Sequence, residues 1–172
     1  MISTKKGDDG KTYTIDGERV FKDDIRIEFY GELDELISFL GFAKHEIRGE
    51  EGTILEDIQR DLFRIFGNLS KSNVKKLEKE HVERITELVE RYEKKVNISG
   101  FVLPGSTRTS ALLDICRAIA RRVERRFVTL SREKKADDVV LAYLNRLSDL
   151  FFVMARYLEK EGIKRVEDSE RS

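Results

Sequence analysis

Pro104 is the only proline in 172 residues, and glycines number only 11, so the chain has few points at which a helix must stop. Between those points apolar residues recur at helical period. Tyr30, Leu33, Ile37 and Leu40 mark one stripe, and Ile54, Ile58, Leu62, Ile65 and Leu69 a second. Val82, Ile85, Val89, Tyr92 and Val96 make a third, and Leu112, Ile115, Ile119, Val123 and Phe127 a fourth. The fifth runs through Leu141, Leu144, Ser148, Phe151, Ala155 and Leu158. This spacing predicts an all-α fold, a five-helix up-down bundle with a ferritin-like four-helix core and one helix more.

Turn chemistry places the breaks. Arg48-Gly49-Glu50-Glu51-Gly52 separates the first two helices, and Ile98-Ser99-Gly100 leads into Phe101-Val102-Leu103-Pro104-Gly105. Pro104 cannot sit inside a helix, so the fourth is expected to start after it with Ser106 or Thr107 as cap. Asp137 and Asp138 suit the start of the fifth. The chain reads as a single domain, 1–172, in three parts. An irregular segment, 1–29, is punctuated by Gly7-Asp8-Asp9-Gly10 and Asp16-Gly17; the bundle spans 30–161; a polar tail, 162–172, is expected to fray from Lys164 to Ser172.

Charged residues make up 38% of the chain, yet Lys+Arg and Asp+Glu both number 33, giving a net charge of zero. Dense but balanced charge argues against a nucleic-acid or membrane-surface partner. One cysteine, Cys116, excludes an intramolecular disulfide and a cysteine metal cage. No apolar run approaches the ~20 residues of a membrane span. The first five residues lack the apolar stretch of a secretory signal, so the cytoplasm is the expected compartment. Of the two histidines, His45 and His81, neither has the neighbours of a catalytic triad. Glu78 to His81 supplies one Glu-x-x-His motif where a di-iron bundle needs two.

Four constellations carry possible chemistry, and each has an ordinary reading beside the functional one. Thr4-Lys5-Lys6-Gly7-Asp8-Asp9-Gly10, with Lys22 further on, is either a solvated turn or a loop whose backbone N–H groups and lysines hold an anion. It is not a Walker A loop. The run from Arg117 to Arg126 holds five arginines and one glutamate, Glu124. It is either an exposed face laced with ion pairs or a grip for a polyphosphate. Asn145, in the core-facing part of helix five and one residue from an apolar position, either satisfies a backbone group or reads a nucleotide. Asp34, in Tyr30-Gly31-Glu32-Leu33-Asp34-Glu35-Leu36 at the opening of helix one, either complements the helix dipole or pairs with an arginine elsewhere.

Taken in order, these segments resemble the PduO-type cobalamin adenosyltransferases. Arg19-Val20-Phe21-Lys22-Asp23-Asp24, Phe101 to Gly105 and Leu144 to Asp149 complete the match, which spans nearly the whole chain. The resemblance implies a homotrimer of five-helix subunits with ATP bound between subunits. It assigns Thr4, Lys5, Lys6, Gly7, Thr12, Tyr13 and Lys22 to the nucleotide, with Arg121, Arg122, Glu124, Arg125 and Asn145. It makes Asp34 and Arg117 a salt bridge across the subunit interface, and Phe101 the aromatic that displaces the lower cobalamin ligand. Arg121, Phe101, Asp34 and Arg117 are thereby the catalytic set.

The implied reaction moves the 5′-deoxyadenosyl group of ATP onto cob(I)alamin and releases triphosphate, with Mg2+ on the phosphates and no protein side chain as metal ligand. Cobalt is itself the nucleophile, which needs no general base. An ATP-binding sensor or a cobalamin-delivery chaperone on the same bundle is the alternative. The chain departs from the family pattern in three places. Ser106 and Thr107 follow Gly105 where many members have a second glycine, Arg108 is bulky nearby, and Asp114 stands where relatives often carry histidine.

Overall fold

The computed structural model describes residues 5–71, 75–133, 137–159 and 162–166. Its helices are α1 (Ile25–Glu46), α2 (Glu50–Leu69), α3 (Lys79–Glu93), α4 (Arg108–Glu133) and α5 (Asp138–Glu159). They alternate in direction. Asn68 at the end of α2 donates through Nδ2 to the Leu77 carbonyl ahead of α3 (3.1 Å) and to Asp137 Oδ2 ahead of α5 (2.8 Å). Tyr92 near the end of α3 donates to Glu51 at the start of α2 (3.0 Å). Phe29 at the start of α1 meets Phe127 near the end of α4, ring centroids 5.3 Å apart. So α1, α3 and α5 run one way, and α2 and α4 the other, with α4 packed between α1 and α5.

The predicted stripes supply the core, with the exception of Ile115, which is exposed on α4 while Leu112, Cys116 and Ile119 take the buried positions around it. Leu33, Leu36 and Leu40 of α1 meet Ile58 and Leu62 of α2, Val123 of α4 and Leu147 of α5 in one buried cluster. Each such side chain contributes about 1.5–3 kcal/mol when fully withdrawn from water. Cys116 is buried among them, and that burial pushes its thiol up to about 12. The native protein is therefore expected to resist iodoacetamide in mildly alkaline buffer and to alkylate at Cys116 only after denaturation, as mass spectrometry would show.

Helix ends follow the caps. Thr107 opens α4: its Oγ1 accepts from Ser110 N–H (3.1 Å), and Ser110 Oγ accepts from Thr107 N–H (3.0 Å). A glycine at 107 would lose this reciprocal pair, which gives the departure there a structural use. Asp137 caps α5 by accepting from Val139 N–H at 3.0 Å. Glu78 and His81 form a capping box at the start of α3, so the lone Glu-x-x-His motif serves a helix end.

Three expectations are corrected. Helix one begins at Ile25, not Tyr30, because Asp24 Oδ1 accepts from Arg26 N–H (3.0 Å) and Phe29 extends the buried stripe backwards by a turn. Glu32, Asp34 and Glu35 consequently sit in mid-helix, too far in to complement its dipole. Secondly, the N-terminal segment is not wholly irregular: β1 (Lys11–Tyr13) pairs antiparallel with β2 (Arg19–Phe21), Thr12 opposite Val20. The hairpin turns at Gly17, which adopts a left-handed φ of 81°. Thirdly, the start of the tail is paired rather than frayed, since Leu103 N–H donates to the Lys164 carbonyl (2.9 Å) and Val166 N–H to that of Phe101 (3.0 Å). Among the described residues, no helix is long and apolar enough to cross a membrane.

Candidate active site

The N-terminal loop closes on Lys22. Lys22 N–H donates to the Gly10 carbonyl (3.0 Å) and Gly10 N–H to that of Gly7 (3.3 Å). A Cβ on Gly7 would stand 3.3 Å from Lys22 Nζ, so glycine is what lets the ammonium lie against the loop backbone. Lys5, held at a left-handed φ of 58°, and Lys6 are both exposed on the same loop. Among the described residues none of these three lysines has a carboxylate partner. Thr12 is half-buried in the middle of β1, and Tyr13 is exposed with the Arg19 guanidinium 6.0 Å from its ring centre. Thr4 lies outside the described residues.

The arginine run divides by face. Arg122 pairs with Glu35, and Arg126 with Glu28 (2.8 Å) and Glu32 (3.3 Å), all on α1. These ion pairs fasten α4 to α1. Arg117 Nε lies 3.3 Å from Asp114 Oδ1. Arg121 and Arg125 are exposed, and among the described residues neither side chain has a hydrogen-bond or ion-pair partner. Beside them, Asn145 donates through Nδ2 to Glu124 Oε1 (2.9 Å) and accepts through Oδ1 from Arg146 (3.0 Å). Asn145 is exposed rather than core-facing, which corrects its expected placement: Leu144 and Leu147 take the buried positions of that turn. Asp149 lies one turn beyond Asn145. Partial burial raises its carboxyl above the ordinary value, opposed by Arg146 and Arg121.

Among the described residues, no hydrogen bond or ion pair links Lys6, Gly7 or Lys22 to Arg121, Arg125 or Asn145. The hairpin packs where α4 ends: Thr14 and Asp16 line a cavity with Phe127 and Leu130. Phe101 belongs to the opposite end, where Gly105 N–H donates to Asp114 in the second turn of α4 (3.1 Å). Phe101 itself is 80% exposed, an aromatic ring with no core to join. Asp34 is exposed and without a described partner on its own chain, so nothing within the protomer pairs it with Arg117.

Sequence reasoning passed over Arg156 and Glu159. Arg156 sits inside the apolar run Phe151-Phe152-Val153-Met154-Ala155, and a cation there was the available signal of a buried charge.

Fold and site together define a helical bundle with two sets of cations that, among the described residues, make no ion pair, an arrangement suited to binding a polyanion. Comparison with known proteins carries this further. The profile of the cobalamin adenosyltransferase family matches residues 2–158. The corrinoid adenosyltransferase of Bacillus subtilis is 40% identical over 176 residues, covering 96% of this chain and 91% of the relative. A cobalamin adenosyltransferase of Cupriavidus metallidurans is 37% identical, covering 94% and 89%. A variant PduO-type ATP:corrinoid adenosyltransferase from Lactobacillus reuteri, solved with cobalamin and ATP, superposes with a TM-score of 0.85 at 35% identity, covering 95% of this chain and 97% of that one. The chain belongs to the cobalamin adenosyltransferase family.

Proposed function

We propose that this protein transfers the 5′-deoxyadenosyl group of ATP to cob(I)alamin, giving adenosylcobalamin and triphosphate. Family membership supports the reaction, and the observation that carries the site is the pair of unpaired guanidiniums, Arg121 and Arg125, beside the Glu124–Asn145 hydrogen bond. The cobalt lone pair attacks the 5′ carbon, a cobalt–carbon bond forms, and the carbon–oxygen bond breaks with its electrons leaving on triphosphate. No proton leaves the attacking atom, so the protein needs no base. Its work is to position both substrates, exclude water and place positive charge where the triphosphate develops it. Arg121 and Arg125 supply that charge from α4, and Lys5, Lys6 and Lys22 from the loop; Asn145 and Glu124 orient the nucleotide. Thr4, Gly7, Thr12, Tyr13 and Arg122 complete the proposed ATP set.

Phe101 is proposed to meet the lower face of the corrin, where an exposed ring can displace the axial ligand and leave cobalt four-coordinate. A second copy is proposed to bring its loop to the Arg121 face, as the family resemblance implies. The assembly is then a homotrimer with ATP at each interface, and Asp34 reaches Arg117 of the neighbour. Mg2+ fits this set through the nucleotide. Glu124 and Asp149 are the nearby carboxylates, the first already accepting from Asn145, so a hard cation would be carried on phosphate oxygens. The proposed compartment is the cytoplasm, where a lone reduced cysteine is the ordinary state.

Anaerobic incubation with ATP, Mg2+ and chemically reduced cobalamin tests the reaction. The adenosylcobalamin spectrum should appear with one triphosphate released per turnover, and saturating ATP alone should raise the melting temperature. ATP binding with neither product would instead favour a sensor or a delivery chaperone.

A further inference from the structure

Arg156 is the largest of the fully buried side chains, 1% exposed, and it is a cation. Its Nη2 donates to Asp114 Oδ2 at 2.6 Å and to Glu159 Oε1 at 3.0 Å, and its guanidinium lies 5.3 Å from the centre of the Phe152 ring. Asp114 and Glu159 are themselves 6% and 4% exposed. A buried ion cluster contributes little net stability over a well-packed apolar replacement. What it adds here is direction, because carboxylates have lone pairs to spare beyond the guanidinium.

Those lone pairs reach the loop that carries Phe101. Gly105 N–H donates to Asp114 Oδ2 at 3.1 Å, and Ser106 N–H to Glu159 Oε1 at 3.2 Å. The other end of the loop is gripped by the segment after α5, through the antiparallel bridge of Val102 with Arg165 and the bonds of Phe101 and Leu103 to Val166 and Lys164. The most exposed aromatic of the protein thus stands on a backbone fixed at both ends. Asp114 Oδ1 also accepts from Arg117 Nε at 3.3 Å, so one carboxylate ties the loop, the buried guanidinium and Arg117 together.

We propose that the Asp114–Arg156–Glu159 cluster is the anchor of the Phe101 loop, and that Asp114 and Glu159 are positioning residues for the corrinoid, acting through Phe101 without touching the substrate. This rests on the reading of the protein as an adenosyltransferase whose Phe101 meets the corrin. Misplacement of a reacting partner by about 1 Å can cost roughly 100-fold in rate, so loosening this loop should be felt in turnover.

Asp114→Asn and Glu159→Gln keep side-chain volume and weaken the anchor. Each is compared with wild type, with Phe101→Ala, and with the corresponding double variant, all at saturating ATP. In either single variant kcat/KM for cob(I)alamin should fall about tenfold to 100-fold, the Kd for ATP should stay as in wild type, and amide exchange over residues 101–106 should accelerate. Combined with Phe101→Ala, neither should cost more than Phe101→Ala alone, since both act through the same ring. Unchanged corrinoid kinetics in the variants of an active wild type would overturn the anchor and leave the enzyme reading standing. Losses that multiply with that of Phe101→Ala would overturn it too, as would weaker ATP binding in step with a lowered melting temperature. An inactive wild type would sink the enzyme reading first and the anchor with it. Should Asp114→Asn not fold, Glu159→Gln carries the same test through Ser106.

Discussion

Arg121→Ala is expected to cut adenosyl transfer by about 100-fold to 1,000-fold while leaving the fold intact, the usual scale for removing one charge-stabilising donor from an active site. The structure explains why those two outcomes separate. Arg121 is exposed on α4 and, among the described residues, its side chain has no partner, so truncation breaks nothing that holds the bundle. Its neighbour Arg122 is the control. That residue pairs with Glu35 across the α1–α4 contact, so Arg122→Ala should lose a packing bond as well as cationic charge. Steady-state kinetics beside thermal melts would separate them. Arg121→Ala should melt with wild type, and a large drop in its melting temperature would mean that the guanidinium has a structural partner after all. Full activity in Arg121→Ala would remove the residue from the site.

Arg156→Met should have the largest effect on stability. Methionine refills much of the volume but leaves Glu159 buried without its cation and Asp114 with Arg117 alone, and stranding buried charge costs about 3–5 kcal/mol. For a protein of this size that corresponds to roughly 10 °C in melting temperature. Adding Asp114→Asn and Glu159→Gln to Arg156→Met should recover most of the loss, because the penalty lies in the unpaired carboxylates rather than in the missing guanidinium. Denaturant titration of the native, stranded and neutral forms would check the order. A stranded variant as stable as wild type would show that the cluster is hydrated and not a buried anchor.

The apolar stripes made the bundle legible, since period alone set Leu33, Ile58, Val123 and Leu144 facing one core. Caps were legible where a single residue type does the work, as with Thr107 and Asp137. The start of α1 was not, because Asp24 looks like a turn residue until Phe29 is seen to be buried one turn ahead of Leu33. Asn145 was misplaced for a related reason: adjacency to Leu144 says nothing about which side of a helix a residue faces. Pairings distant in sequence were invisible. Arg122 with Glu35 and Arg156 with Asp114 join residues 87 and 42 positions apart, and no local pattern encodes them. Composition alone showed an arginine-rich helix but not that two of its guanidiniums would be matched by α1 glutamates while Arg121 and Arg125 were left over. The residues of the site were therefore recognisable as motifs before it was clear which of their charges were free.

The account stands on the loop lysines and the arginine helix being two halves of one nucleotide site, contributed by different copies of the chain. Differently tagged Lys22→Ala and Arg121→Ala chains, each inactive alone, can be co-expressed and the mixed assemblies purified. If each site takes its loop from one subunit and its α4 from the next, every mixed trimer has one of its three sites with both halves intact, and about a third of wild-type turnover should return. Activity no greater than that of the two variants measured separately would place both halves on one chain and contradict the shared site.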